Sequence, residues 1–303
     1  MKHQSEKILL AGGSGLVGSI LQERLGQHGK EVHILTRSQD SHPFRHQWDP
    51  DNGFIASSIS DHAFEALINL CGAGIADQRW TSSRKKVLYD SRIVPTQFLW
   101  SLIKNQTINT AKFIQISASG FYGNRDKPVD EKATSGPKHD FMVQLTKDWE
   151  SAFLSSATKK VPHCRLRLGV VISEKGGFIS QFRTPIRFYM APYFGAGDNY
   201  ISWVHEADLA NMIHRLIESD TLAPIYNLAT PYPVTSKQFA KSLKKVFNSN
   251  AILMRIPVFA LKLLFGEMKS AILADVRMMP GEFENISYNF LVPRMKEALE
   301  KVK

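Results

Sequence analysis

With 303 residues, of which 43% are hydrophobic and 22% charged, the chain can bury a sizeable core and is unlike the apolar-poor composition of a disordered protein. The formal net charge of +10 raises nucleic acid as a partner, but the basic residues are spread out. The densest clusters, Arg84-Lys85-Lys86 and Lys244-Lys245, lack interleaved aromatics, so a solvated surface explains them and no nucleic-acid partner is expected. Cys71 and Cys164 are too few and too far apart for a disulfide framework or a zinc cluster, so no metal is expected and a reduced, cytoplasmic setting fits best.

In chain order, MKHQSEKILLAGG reaches its first apolar run only at Ile8 and soon meets glycine, too short a run for a signal-peptide core. KILLA (7–11), LVGSILQERLGQHG and EVHILT (31–36) then read as strand, helix, strand. ALINL (66–70) leads to a long helix over 82–105, and KFIQIS (112–117) leads to the helix DFMVQLTKDWESAFL. HCRLRLGVVI (163–172) follows as a strand. Residues 182–200, punctuated by Gly and Pro, predict a long loop of the kind that builds ligand pockets. HEADLANMIHRLIES (205–219) predicts a helix whose first turn Asp208 supports, with His205 structural, and IYNLA (225–229) predicts a strand. Residues 231–303 read as short helices separated by prolines, and IPVFALKLLFG (256–266) is interrupted by Lys262 and too short to span a bilayer. The expectation is an α/β fold: a Rossmann-type doubly wound parallel sheet (1–172 plus 204–230) with a smaller, mainly helical C-terminal substrate domain (173–203 plus 231–303).

The sharpest local motif is LLAGGSGLVGS (9–19), a turn between strand and helix running Gly12, Gly13, Ser14, Gly15, Leu16, Val17, Gly18. Residues without Cβ let backbone N–H groups approach a pyrophosphate at the helix N-terminus, which points to a dinucleotide. Both Gly13-x-Gly15-x-x-Gly18 and Gly12-x-x-Gly15-x-x-Gly18 fit the letters. At the end of the second strand, where an acid would bind a free ribose 2′-hydroxyl, stands Arg37, and the next acid is Asp40. A cation there suits a 2′-phosphate, so NADP is expected, with NADPH preferred over NADH.

Taken together with INLCGAGIADQRW (68–80), YDSRIVPT (89–96), SASGFYG (117–123), the DF and DWE ends of 140–150, RLGVVIS and GG within 167–177, SWVHEADL (202–209) and VRMMPGEFENISYNF (276–290), the chain resembles the extended short-chain dehydrogenase/reductases of the NAD-dependent epimerase/dehydratase group. Within that group it is similar to an atypical branch of sugar-nucleotide epimerase-like proteins with an extra C-terminal module. The resemblance selects the Gly12-x-x-Gly15-x-x-Gly18 reading. It implies that Thr36, Arg37 and Ser38 hold the adenosine ribose and its phosphate, that Leu70, Cys71 and Gly72 line the cofactor, that Arg92 approaches it, and that Ser117 lies near the nicotinamide ribose. Leu70 and Cys71 can equally be core residues, and Arg79-Trp80 a packed loop anchor.

The superfamily's proton relay uses a Tyr, a Lys four residues later, and a Ser or Thr at the preceding strand's end. By the same resemblance those positions are Phe141, Leu145 and Ala118. Lys147 lies about 200° around the helix from the needed place and cannot stand in. Ser119 and Tyr122 are the remaining proton-donor candidates, with Tyr122 more readily a buried turn residue because no cation stands beside it to lower its pKa. Two functions stay open: an NADP-dependent epimerase or oxidoreductase acting on a nucleotide sugar or other small carbonyl or hydroxyl substrate, and a non-catalytic NADP-binding sensor or regulator linked to cell division. Oligomeric state is not legible.

Overall fold

The computed structural model describes residues 6–38 and 41–303. Its centre is an eight-stranded sheet: β1 (Lys7–Ala11), β2 (Glu31–Thr36), β3 (Arg45–Asp49), β4 (Phe54–Ile55), β5 (Ala66–Asn69), β6 (Phe113–Ala118), β7 (His163–Leu168) and β8 (Ile225–Leu228). Their spatial order is β8-β7-β6-β5-β1-β2-β3-β4. All neighbours are parallel except β3 and β4. The chain leaves β1 toward β2 on one side and returns to β5 on the other, so a crevice opens between the two connections.

Continuous apolar runs form these strands because helices cover both faces. Successive side chains point to opposite faces: Ile8, Leu10, Ile68 and Ile114 join one buried cluster, while Leu9, Leu67 and Phe113 join another. The first cluster includes Leu21 and Leu25 of helix α1 (Leu16–Gln27) and Leu209 and Ile213 of helix α4 (Glu206–Glu218). The second includes Leu99 and Trp100 of helix α2 (Ser82–Lys104) and Phe153 of helix α3 (Phe141–Ser156). A third cluster gathers Ile172, Phe182, Trp203, Phe239 and Leu299 from the later part of the chain.

Three expectations are corrected. The run 163–172 is not one strand: Gly169 N donates to Leu228 O at 3.1 Å, whereas Val170 N donates to Ser202 O at 2.8 Å, so the chain changes partners between adjacent residues. Residues 170–172 then pair with 203–205 in a separate small sheet, and a Cβ on Gly169 would lie 2.8 Å from Ser202 O. Residues 182–200 are not a long loop, because they hold most of a helix (Ser180–Arg187) and a strand (Met190–Phe194). That strand pairs with Ile252–Ile256, inside a region read as mainly short helices. Pro192 is compatible with the strand because its sheet has only two members, leaving every strand an edge.

His205 caps α4, its Nδ1 accepting from Ala207 N at 3.2 Å. Asp208 does more than support the first turn. Its carboxylate accepts from Leu291 N at 2.8 Å, Val292 N at 2.9 Å and the Tyr288 hydroxyl at 3.2 Å, tying the C-terminal segment to the sheet domain. Among the described residues no helix is long and apolar enough to cross a membrane.

Candidate functional site

The crevice at the C-terminal ends of β1, β2 and β5 is a cleft of about 610 Å³ lined by Gly12, Ser14, Thr36, Arg37, Ser38, Cys71 and Gly72, among others. The turn after β1 meets the turn after β5 directly. Gly12 has φ +78°, and a Cβ there would come within 2.9 Å of Leu70 C and Cys71 N. Gly18 lets α1 start against the turn, since its Cβ would lie 2.2 Å from Gly13 O. The Gln22 side chain donates to Gly13 O at 2.7 Å and to Gly18 O at 3.1 Å, fixing the turn from the helix side.

Gly15 is the N-cap of α1 and supplies no capping side chain. The first-turn N–H groups of Leu16, Val17 and Gly18 therefore have no intrahelical partner, and Ser14 and Gly15 beside them are exposed. The positive end of the helix dipole and these donors form a cradle suited to a pyrophosphate. Opposite it, Ser38 N donates to Thr36 Oγ1 at 3.2 Å, shaping the turn that carries Arg37. Arg37 is well exposed and pairs with Asp51 at 3.1 Å. Asp40 lies outside the described residues. Arg45 and Trp48 also line this end.

The turn after β5 rests on a buried polar network that the sequence reading missed. Asn69 Oδ1 accepts from Cys71 N at 3.0 Å, and Asn69 Nδ2 donates to Gln115 Oε1 at 2.9 Å and Thr96 Oγ1 at 3.1 Å. Trp149 Nε1 donates to the same threonine hydroxyl at 3.2 Å. The available signal was polar: Asn69 and Gln115 interrupt mainly apolar strands, and a buried amide needs partners.

Two residues assigned by resemblance sit beneath the cleft and not on its wall. Arg92 donates to Leu88 O at 3.0 Å and Ala73 O at 3.1 Å and stacks on Trp149, bracing the 72–73 turn from below. Burial lowers its pKa to about 10, which leaves it charged at neutral pH. Ser117 is buried, and its hydroxyl donates to Glu150 Oε1 at 2.7 Å, so only its backbone is left for a ligand. Leu70 and Cys71 are half-buried at the strand end. Desolvation pushes the Cys71 thiol up to about 12, so it stays protonated at neutral pH.

The two helix positions that the resemblance assigned to the relay, Phe141 and Leu145, lie in an apolar cluster. Phe141 packs on Trp80 with ring centroids 4.9 Å apart, and Leu145 is buried with Trp80, Leu88 and Met268. The Arg79 guanidinium holds Leu263 O and Leu264 O of the helix Val258–Phe265. Helix α3 begins here because Asp140 caps it, accepting from Met142 N at 2.8 Å. Lys147, on the far side of that helix, lines a separate hollow with Phe121, Glu131 and Arg165.

Of the two proton-donor candidates, Tyr122 is corrected. It is 0% exposed, its hydroxyl donates to Asn227 Oδ1 at 2.7 Å and accepts from Arg167 Nη1 at 3.0 Å. Desolvation raises its pKa, so it is a structural phenol. Ser119 opens the short turn 119–122, is half-buried, and makes no side-chain hydrogen bond among the described residues.

Comparison with known proteins agrees with this architecture. The NAD dependent epimerase/dehydratase family model matches residues 8–229, and a domain of unknown function, DUF1731, matches 256–302. An epimerase family protein of Mycobacterium leprae is 32% identical over 295 residues, covering 96% of this chain and 94% of that protein. The crystal structure of human epimerase family protein SDR39U1 with NADPH superposes with a TM-score of 0.87 at 23% identity, covering 98% of each chain. A nucleoside-diphosphate sugar epimerase from Corynebacterium glutamicum gives 0.76 at 28% identity, over 97% of this chain and 57% of that one.

Proposed function

The chain belongs to the NAD dependent epimerase/dehydratase family, and from that premise we propose that it binds NADPH in the β1–β5 cleft and acts on a small carbonyl or hydroxyl substrate, nucleotide sugars being the first class to test. The observation that carries this reading is the pairing of an uncapped α1 N-terminus with Arg37 across one cleft. The first suits a pyrophosphate and the second a 2′-phosphate. Gly12, where a Cβ would strike the Leu70–Cys71 backbone, lets the turns after β1 and β5 meet to form the floor of the same cleft. NADPH in the human structure and the sugar-nucleotide name of the bacterial one support the two halves of the assignment.

Bound NADPH would supply a hydride equivalent, and a carbonyl that accepts one also needs a proton. Phe141 and Leu145 cannot provide it, and Tyr122 is enclosed. Ser119, with its free hydroxyl at the end of β6, would orient a carbonyl oxygen by hydrogen bonding, with the proton drawn from water. An aliphatic hydroxyl is a weak acid, so turnover is expected to be slow and selective for activated carbonyls.

A second reading, a cofactor-binding sensor without turnover, is favoured by one observation: Met268 and Trp80 seal the Phe141–Leu145 face. Incubating the protein and NADPH with nucleotide sugars and small carbonyls, while following reduced-nicotinamide absorbance and product sugar, separates the two. Turnover that falls in Ser119→Ala supports the enzyme; NADPH binding with no turnover across the panel overturns it in favour of the sensor.

A further inference from the structure

Three histidines converge at the outer edge of the main sheet, apart from the cleft surface. His33 on β2 and His46 on β3 are buried, His62 lies just before β5, and one ring nitrogen from each falls within 4.8 Å of the others. Buried imidazoles seldom gather in threes without a shared partner, because each offers a lone pair or an N–H that must be satisfied. We propose that His33, His46 and His62 form a binding site for a borderline divalent transition-metal ion of the zinc or cobalt class.

The surroundings are those of a ligand set. His33 Nε2 faces Glu31 Oε1 at 2.7 Å, which fixes the tautomer so that the Nδ1 lone pair points inward to His46 Nε2, 2.8 Å away. In the metal-free protein His46 Nε2–H donates to that lone pair while its Nδ1 accepts from the Ser58 hydroxyl at 3.1 Å; an entering ion would shift the His46 proton to Nδ1, where Ser58 Oγ can accept it, and free Nε2 as a ligand. A carboxylate or hydroxyl behind a ligating imidazole is the usual outer shell that orients such rings. Lys7 Nζ contacts His62 Nδ1 at 3.2 Å and Glu31 Oε1 at 3.2 Å, so it can release the histidine and keep its carboxylate partner. Phe44 and Phe64 wall the cluster, their centroids 5.0 and 5.3 Å from the His33 ring.

Nitrogens around a tetrahedral zinc ion, at about 2.0–2.1 Å from the metal, stand about 3.4 Å apart, so the His33–His46 contact would open slightly as the ion enters. Three neutral nitrogens leave a fourth position for water, and imidazole-only donors favour zinc, cobalt, nickel or copper over magnesium or calcium. The ion would pin β2, β3 and the segment before β5 together. Those strands also carry Thr36, Arg37, Arg45 and Trp48 of the cleft. The site stands on its own donors and is independent of the cofactor assignment.

The test uses the full chain without an affinity tag, stripped with chelator and titrated with Zn²⁺ in a calorimeter and with Co²⁺ in the visible spectrum. The expected result is one ion per chain, intense tetrahedral cobalt bands, and a raised melting temperature with Zn²⁺. Half-buried His62→Ala keeps the two buried rings in place and should remove the cobalt bands, while Glu31→Gln should weaken binding roughly 10- to 100-fold. Absence of stoichiometric binding, or binding unchanged in His62→Ala, overturns the proposal. The second outcome would place the ion elsewhere, for example at the stacked pair His28 and His214.

Discussion

Arg167 donates to the hydroxyl of Tyr122 at 3.0 Å while its remaining guanidinium nitrogens grip Glu150, and its plane lies 3.4 Å from the Phe121 ring centroid. The most conspicuous phenol of the SASGFYG loop is thereby committed to structure. Tyr122→Phe should leave NADPH affinity and any turnover unchanged. It should lower stability by about 1–3 kcal/mol, because Arg167 and Asn227 each lose a buried partner. Urea unfolding checks the loss; abolished turnover in a folded variant would return the phenol to the chemistry.

Glu150 is the hub of the same network. Its carboxylate accepts from Ser117, from Arg165 at 3.0 Å and twice from Arg167, all in the interior. Glu150→Gln removes the only charge facing the two guanidiniums within this network, and breaking a buried pair in this way costs about 3–5 kcal/mol. Chemical denaturation should show a loss on that scale, and a loss below about 1 kcal/mol would contradict a tightly enclosed network.

Two glycines in α1 give a paired prediction. Gly18→Ala forces a methyl to within 2.2 Å of Gly13 O, so the cradle must shift and NADPH binding should weaken by about tenfold or more. At Gly26 nothing lies within 4 Å of the added carbon, so Gly26→Ala should spare binding and stabilise the helix by about 0.5–1 kcal/mol. Titration of both variants with NADPH, alongside their melting curves, checks the contrast.

The pH dependence of stability should carry the signature of His205. Burial pushes its pKa from 6.5 to about 4, since the ring is enclosed and faces the positive field of Lys301 and Arg24. Between those values the unfolded chain binds a proton that the native chain does not, so stability falls as pH drops through that window and is unaffected above it. His205→Asn keeps an N-cap acceptor for Ala207 N, and its acid limb should be shallower by up to about 1.4 kcal/mol per pH unit. Unfolding free energies at several pH values measure the slope.

The sequence made the main sheet legible because its strands are continuous apolar runs bounded by glycine, as in KILLA and ALINL, and its helices keep a 3.6-residue period. β3 was not legible: RHQWD lies near the sheet's edge, flanked only by the two-residue β4, and its polar residues meet solvent or the histidine cluster, so no apolar run marks it. The break at Gly169 and the strand at 252–256 depend on partners distant in the chain. At the site, the glycine turn was readable because close backbone approach demands residues without Cβ at fixed spacing, and Arg37 because it stands at a defined strand end. Asn69, Gln115 and the Glu150–Arg167 pair were not, since their meaning lies in contacts between strands and α3. The burial of Tyr122 likewise depends on Asn227, which only the completed sheet brings near.

The central claim is the NADPH cleft with Arg37 as its selector, and equilibrium titration of the wild-type chain and Arg37→Ala with NADPH and NADH tests it most directly. The expected result is tighter binding of NADPH by about tenfold or more in the wild type, with most of that preference lost in Arg37→Ala while NADH affinity hardly changes, as befits one charge-assisted contact of about 1.5–3 kcal/mol. Equal affinity for the two nucleotides in the wild type, or a preference that survives Arg37→Ala, would contradict the account.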